Sequence, residues 1–136
     1  MTRPILAVVV LAMAGTVCPS VLAQGVDPDA KAFIKAWNSN NDDALDLKEI
    51  QAAAAARFKT LDADEDGKLT QKDVEGAVSA EAFMKANPDN DTTLEMNEYA
   101  ALVEQRFKAA NPDGDTTIEA DELTTVNGKA LMSLIQ

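Results

Sequence analysis

The sequence predicts an all-α fold, a compact helical bundle in which four acidic loops are joined by helices of only 12–13 residues and touch one another through small loop–loop β contacts. Three observations predict it. The acidic residues gather in four segments that begin at 38, 62, 87 and 111, an internal repeat of 24 or 25 residues. An apolar residue stands four positions before each segment (Ile34, Phe58, Phe83, Phe107) and another directly after it (Ile50, Val74, Tyr99, Leu123), which marks a helix on either side. The stretches from Ile50 to Leu61 and from Tyr99 to Ala110 contain no glycine or proline, and the alanine run from Ala52 to Ala56 favours helix strongly.

The first element is a leader. Arg3 precedes an apolar run from Ile5 to Val17, and Val21, Leu22 and Ala23 suit a signal peptidase, so residues 1–23 read as a signal peptide removed before Gln24. The run is too short to span a bilayer comfortably. Cys18 falls inside it, and Gly15-Thr16-Val17 match a lipoprotein acylation site poorly. The expected product is therefore a secreted domain over 24–136 with neither cysteine nor lipid. Removing Arg3 leaves 11 basic against 23 acidic side chains, a net charge of −12. That sign excludes nucleic acid and anionic membranes as natural partners, because both need a basic footprint, and it favours cations. With one Trp, one Tyr and four Phe, the core is thin for a self-repelling chain.

Each acidic segment then repeats one pattern over 12 positions. Position 1 is Asn38, Asp62, Asn87 or Asn111; position 3 is Asn40, Asp64, Asp89 or Asp113; position 5 is Asp42, Asp66, Asp91 or Asp115. Position 7 offers a backbone carbonyl from Ala44, Lys68, Thr93 or Thr117. Position 9 is Asp46, Thr70, Glu95 or Glu119, and position 12 is Glu49, Asp73, Glu98 or Glu122. A hard cation takes six to eight oxygens, and this spacing is that of the EF-hand loop, which supplies them from positions 1, 3, 5, 7, 9 and 12. Position 8 (Leu45, Leu69, Leu94, Ile118) points away from the ion, into the strand contact with another loop. All 24 residues are candidate metal ligands. Phe58, Phe83, Phe107 and Trp37 read as core.

The loops are not equal. Loop 1 offers three carboxylates (Asp42, Asp46, Glu49) and has Asn at positions 1 and 3, so it should be the weakest. The others offer four each, and loops 3 and 4 combine Glu at 9 and 12. Loop 2 comes nearest to a calcium loop at positions 1, 3, 5 and 6, but it closes on the shorter Asp73. Position 6 needs a left-handed backbone that glycine adopts freely. Gly67 keeps it, Asp43 tolerates it, and Thr92 and Thr116 should be strained there.

The short spacing means that one helix serves two loops. A 12-residue helix is about 18 Å long, so loops 1 and 2 sit at opposite ends of one rod, as do loops 3 and 4. Gly76 followed by Ser79 reads as a helix stop and a fresh N-cap, where the chain can fold back. Loop 2 should therefore pair with loop 3, and loop 1 with loop 4.

The short inter-loop spacing, Pro88 and Pro112 at loop position 2, the leader, and the segment from Arg106 to Asp115 (RFKAANPDGD) together resemble the lanmodulin family, over nearly the whole chain from about Asp29 to Gln136. Ser39 and Ala63 depart from the family's position-2 proline. The resemblance implies a periplasmic protein of methylotrophic bacteria that binds lanthanide(III) ions such as La, Ce and Nd far more tightly than Ca2+ and becomes ordered in doing so. It further implies a role in lanthanide uptake or handling, with a lanthanide-dependent dehydrogenase or an uptake system as partner. The residues alone leave a periplasmic calcium-binding buffer or sensor open. A sensor would present a methionine-rich groove, and beyond the leader there are only Met84, Met96 and Met132. An enzyme is not expected: the chain has no His, no Cys outside the leader and no nucleophile motif.

Overall fold

A computed structural model describes residues 28–136. The expected signal peptide lies outside the described residues. The described chain is mostly helical: α1 (Pro28–Trp37), α2 (Leu47–Leu61), α3 (Ala80–Ala86), α4 (Met96–Ala110), α5 (Ala120–Leu123) and α6 (Val126–Ile135), with four short strands β1 (Leu45–Asp46), β2 (Lys68–Thr70), β3 (Thr93–Glu95) and β4 (Thr117–Ile118). None of these helices is long and apolar enough to cross a membrane.

The strands pair as the helix geometry requires. β1 lies antiparallel to β4 with Leu45 opposite Ile118, and β2 lies antiparallel to β3 with Leu69 opposite Leu94. All four position-8 side chains are fully buried. The cause is visible in the connections. Both α2 and α4 run uninterrupted for 15 residues, about 22 Å at 1.5 Å per residue, and so carry their two loops to opposite ends. The turn between the halves falls where the sequence places it. Gly76 takes φ +87°, and the Ser79 hydroxyl caps α3 by accepting the Ala82 N–H at 3.2 Å.

One expected helix is missing. After loop 2 the chain does not form the α-helix that Val74 implied but a run of tight turns, with Asp73 N–H bonded to the Thr70 carbonyl, Glu75 to Lys72 and Ala77 to Val74. Gly76, at φ +87°, breaks any helix soon after β2 and leaves only residues 71–75 between them, little more than one turn. Val74 is buried all the same.

The core lies where α2, α4 and α6 meet. Ile50, Ala53, Ala54 and Phe58 come from α2, Tyr99, Leu102, Val103 and Phe107 from α4, and Leu131, Leu134 and Ile135 from α6. Phe58 and Tyr99 meet edge to face with centroids 5.7 Å apart, and the Tyr99 hydroxyl donates to the Leu134 carbonyl. Burial pushes the Tyr99 phenol up to about 12. Phe83 joins this core, and Trp37 packs half-buried against it.

Candidate metal centre

The loops are curled by their own side chains. In all four, the position-5 carboxylate accepts the N–H of position 7: Ala44 to Asp42 at 3.2 Å, Lys68 to Asp66 at 2.9 Å, Thr93 to Asp91 at 2.9 Å and Thr117 to Asp115 at 2.8 Å. In three, the position-3 side chain accepts the N–H of position 5 in the same manner, from Asn40, Asp89 and Asp113. Such Asx turns bend the backbone without secondary structure. The acid at position 12 then folds back to accept the N–H of position 9, in Glu49, Asp73, Glu98 and Glu122 alike, at 2.8–3.1 Å. Glu49, Glu98 and Glu122 are buried, whereas positions 2 to 6 are exposed in every loop.

Backbone conformation corrects the expectation about strain. Thr92 does take φ +76° and Asp43 +62°, next to Gly67 at +79°, but Thr116 is not left-handed. Loop 4 instead makes its one left-handed turn at position 4, where Gly114 has φ +71°. Position 4 is left-handed in all four loops, at Asn41, Glu65, Asn90 and Gly114. The sequence signal was Asn or Gly at three of these four places, the residue types that tolerate this region best.

What each loop brings together differs. In loop 2, Asp62, Asp64 and Asp66 offer carboxylate oxygens within 4.8 Å of one another, and the charge of Asp66, before burial, raises the pKa of Asp64. Asp62 also accepts the N–H groups of Asp66 and Gly67 at 3.1 and 2.9 Å. In loop 4, Asp113, Glu119 and Glu122 converge in the same way. Burial first, and then Glu119 and Asp113 as like charges, push Glu122 up to about 7. Such crowding is what a bound cation relieves. Among the described residues, no third such cluster forms in loops 1 or 3. Loop 4, expected to be among the best, therefore gathers its acids, and loop 3 does not.

The position-1 asparagines draw loop oxygens together. Asn111 Nδ2 donates to the Thr117 carbonyl at 2.9 Å and to the Asp115 carbonyl at 3.0 Å, with Asp115 Oδ1 at 3.4 Å. Asn38 Nδ2 likewise donates to Asp42 Oδ1 and the Ala44 carbonyl, both at 3.2 Å. In both loops an amide donor thus bridges the oxygens of positions 5 and 7. Asn87 is different: it is 4% exposed, and its Oδ1 is buried with no hydrogen-bond partner. A buried acceptor without a donor is costly, and a cation on the loop would satisfy it.

Loop 3 also carries a cation from its neighbour. Lys68 Nζ lies 3.1 Å from Asp91 Oδ2 and 3.3 Å from Glu95 Oε1, because the β2–β3 register sets Lys68 opposite Glu95. Hydrogen bonds from Thr93 first, then Lys68, hold Asp91 down to about 2. From the sequence, Lys68 contributes only its backbone carbonyl to loop 2, since its side chain reaches loop 3 through a register that spacing alone does not give.

No family model matches the chain, and no curated protein matches it.

Proposed function

We propose that this chain is a periplasmic protein that binds trivalent lanthanide ions selectively through EF-hand-type loops, becomes ordered on binding them, and serves lanthanide uptake or handling. One observation carries the reading: in loop 4, Asp113, Glu119 and buried Glu122 bring their oxygens within 4.8 Å of one another, in a loop whose remaining oxygens already point at a single amide donor. Oxygen-only ligands and carboxylates in this number suit a hard cation. Four carboxylates leave a residual charge of about −1 around a 3+ ion and about −2 around a 2+ ion, so crowding favours the higher charge. The resemblance to the lanmodulin family supports the same assignment and the periplasmic location.

Loop 2 favours an alternative, a calcium-binding protein. It has Gly67 at position 6 with φ +79° and three aspartates in a cluster, the arrangement of an ordinary calcium loop. Titration with La(III) and with Ca(II) at equal buffered free concentration, followed by circular dichroism, separates the two. The lanthanide reading expects a cooperative gain in helicity with about three to four equivalents of La(III), the loop count setting that ceiling, at free concentrations at least about a hundredfold below those needed for Ca(II). Affinities within about tenfold of each other, a difference of about 1.4 kcal/mol, would leave the calcium reading in its place.

A further inference from the structure

Position 2 of the four loops holds Ser39, Ala63, Pro88 and Pro112, and the first of these makes a contact that the others do not. Ser39 donates its backbone N–H to Glu49 Oε1 at 2.6 Å and its hydroxyl to the same oxygen at 2.8 Å. The other carboxylate oxygen, Oε2, accepts the Asp46 N–H at 3.1 Å. A carboxylate oxygen has two lone pairs. Both on Oε1 are thus engaged, and one remains on Oε2. A closing acid that grips a cation with both oxygens needs a lone pair on each.

Loops 3 and 4 lack this arrangement; in loop 2 the Asp73 Oδ2 likewise accepts two donors, the Thr70 N–H at 2.8 Å and the Thr70 hydroxyl at 2.7 Å, but from position 9 and not from position 2. Proline has neither a backbone N–H nor a hydroxyl, so Pro88 and Pro112 cannot hold Glu98 or Glu122. Ala63 turns its N–H to the Leu61 carbonyl at 3.0 Å. Glu98 and Glu122 are as deeply buried as Glu49, at 8% exposure each against 7%, so burial does not distinguish them. The residue at position 2 does.

We propose that Ser39 is an affinity-setting latch, which holds Glu49 to one available oxygen and makes loop 1 fill after loops 3 and 4. The proposal rests on the reading of the loops as cation sites and names a residue outside the ligand set. The asparagines at positions 1 and 3 lower the charge of loop 1, and the Asn40 N–H acts weakly on Glu49 as well, but only Ser39 engages that acid through both a hydroxyl and a backbone donor. Ser39 restrains the closing acid itself, so changing Ser39 alone will tighten the loop while every ligand stays in place.

The test uses the secreted chain and Tb(III) at buffered free concentrations. Trp37 is the single tryptophan and adjoins Asn38, so its sensitised terbium emission reports loop 1, while total helicity reports the protein as a whole. Ser39→Ala removes the hydroxyl and should tighten loop 1 about tenfold; Ser39→Pro removes both donors and should tighten it about a hundredfold, the low end of what one and two hydrogen bonds to a charged acceptor contribute. Ser39→Thr keeps both donors and should leave the affinity as it is. Stoichiometry and affinity at the other loops should not move. If Ser39→Ala, folded as judged by its metal-free spectrum, binds terbium at loop 1 within about twofold of the parent while the remaining loops fill normally, the latch is wrong and the metal-binding reading stands. If no loop takes Tb(III), the reading beneath it fails as well.

Discussion

Replacing Gly128 with alanine should destabilise the protein, although alanine is the better helix former by about 1 kcal/mol and Gly128 lies inside α6. A Cβ built there would sit 2.2 Å from the Glu122 carbonyl oxygen, 2.4 Å from Leu123 Cα and 2.7 Å from the Leu123 carbonyl carbon. All three are backbone atoms, which cannot rotate aside. Ordinary contact begins near ~3.5 Å, so α6 would have to withdraw from α5 by roughly 1 Å. It is held against doing so by fully buried Leu131 and Leu134 and by the bond from the Tyr99 hydroxyl to the Leu134 carbonyl. Overpacking a tight contact costs about 1–3 kcal/mol; with three simultaneous clashes we take the upper end, and subtracting the helix gain leaves about 2 kcal/mol. For a domain of this size that is a fall in Tm of roughly 10 °C. Thermal melts by circular dichroism, in chelator and in excess La(III), measure it. Because the clash falls on the carbonyl of Glu122, the closing acid of loop 4, loop 4 should also lose affinity. A melting temperature equal to or above that of the parent would refute the close-approach argument, since an unconstrained helical glycine gains stability on becoming alanine.

The loops supply the other expected outcomes. Glu122, raised to about 7 from an ordinary 4.5, keeps a proton in the metal-free fold that the unfolded chain has lost. Metal-free stability should therefore fall as pH rises from about 4.5 to about 7, and loop 4 affinity should climb about tenfold per pH unit up to about 7 and then level off; a flat profile between about pH 5 and 7 in chelator competition would contradict this. Replacing Glu95 and Glu119 together with Gln should weaken La(III) more than Ca(II) in the same competition, and equal losses would remove them as the source of selectivity. Lys68→Met frees Asp91 and Glu95 of an ammonium, so loop 3 should bind La(III) a fewfold more tightly at low salt, a gain that about 0.5 M NaCl abolishes. Leu94→Ala opens a void opposite Leu69 and should cost about 2–5 kcal/mol, read by urea unfolding; a loss under about 1 kcal/mol would mean that the strand contact does little.

The helices and the loop pairing were legible because both rest on local residues that leave little choice. Uninterrupted good helix formers in α2 and α4 and the break at Gly76 and Ser79 determine which loops can meet, and the aliphatic residue at position 8 fixes the register. α6 escaped notice because no loop follows it, so the repeat that marked the other helices does not extend to it; yet Leu131, Leu134 and Ile135 complete the core. Among ligands, spacing identifies who belongs to a loop but not how tightly the loop is drawn in. Loop 3 has the same acids as loop 4 at its ligand positions and differs by Lys68, which comes from another segment, and by an unpartnered Asn87 Oδ1. Loop 4 differs from the other three in that Thr116 is not left-handed although position 4 is, and nothing in the sequence of the loop signals that difference.

The crossed pairing has a consequence for how the chain assembles. The β2–β3 contact joins neighbouring segments, whereas β1–β4 joins segments near the two ends of the described chain. Neither half of the sequence contains a complete partnership, so cutting between Gly76 and Ser79 would strip every loop of its mate rather than release two working modules. Closure of the long outer contact carries the larger entropy penalty and should form late in folding. On the proposed reading, an ion bound at loop 1 or loop 4 would act as a clasp on the two ends of the described chain, and the order in which sites fill would become the order in which the molecule is fastened shut.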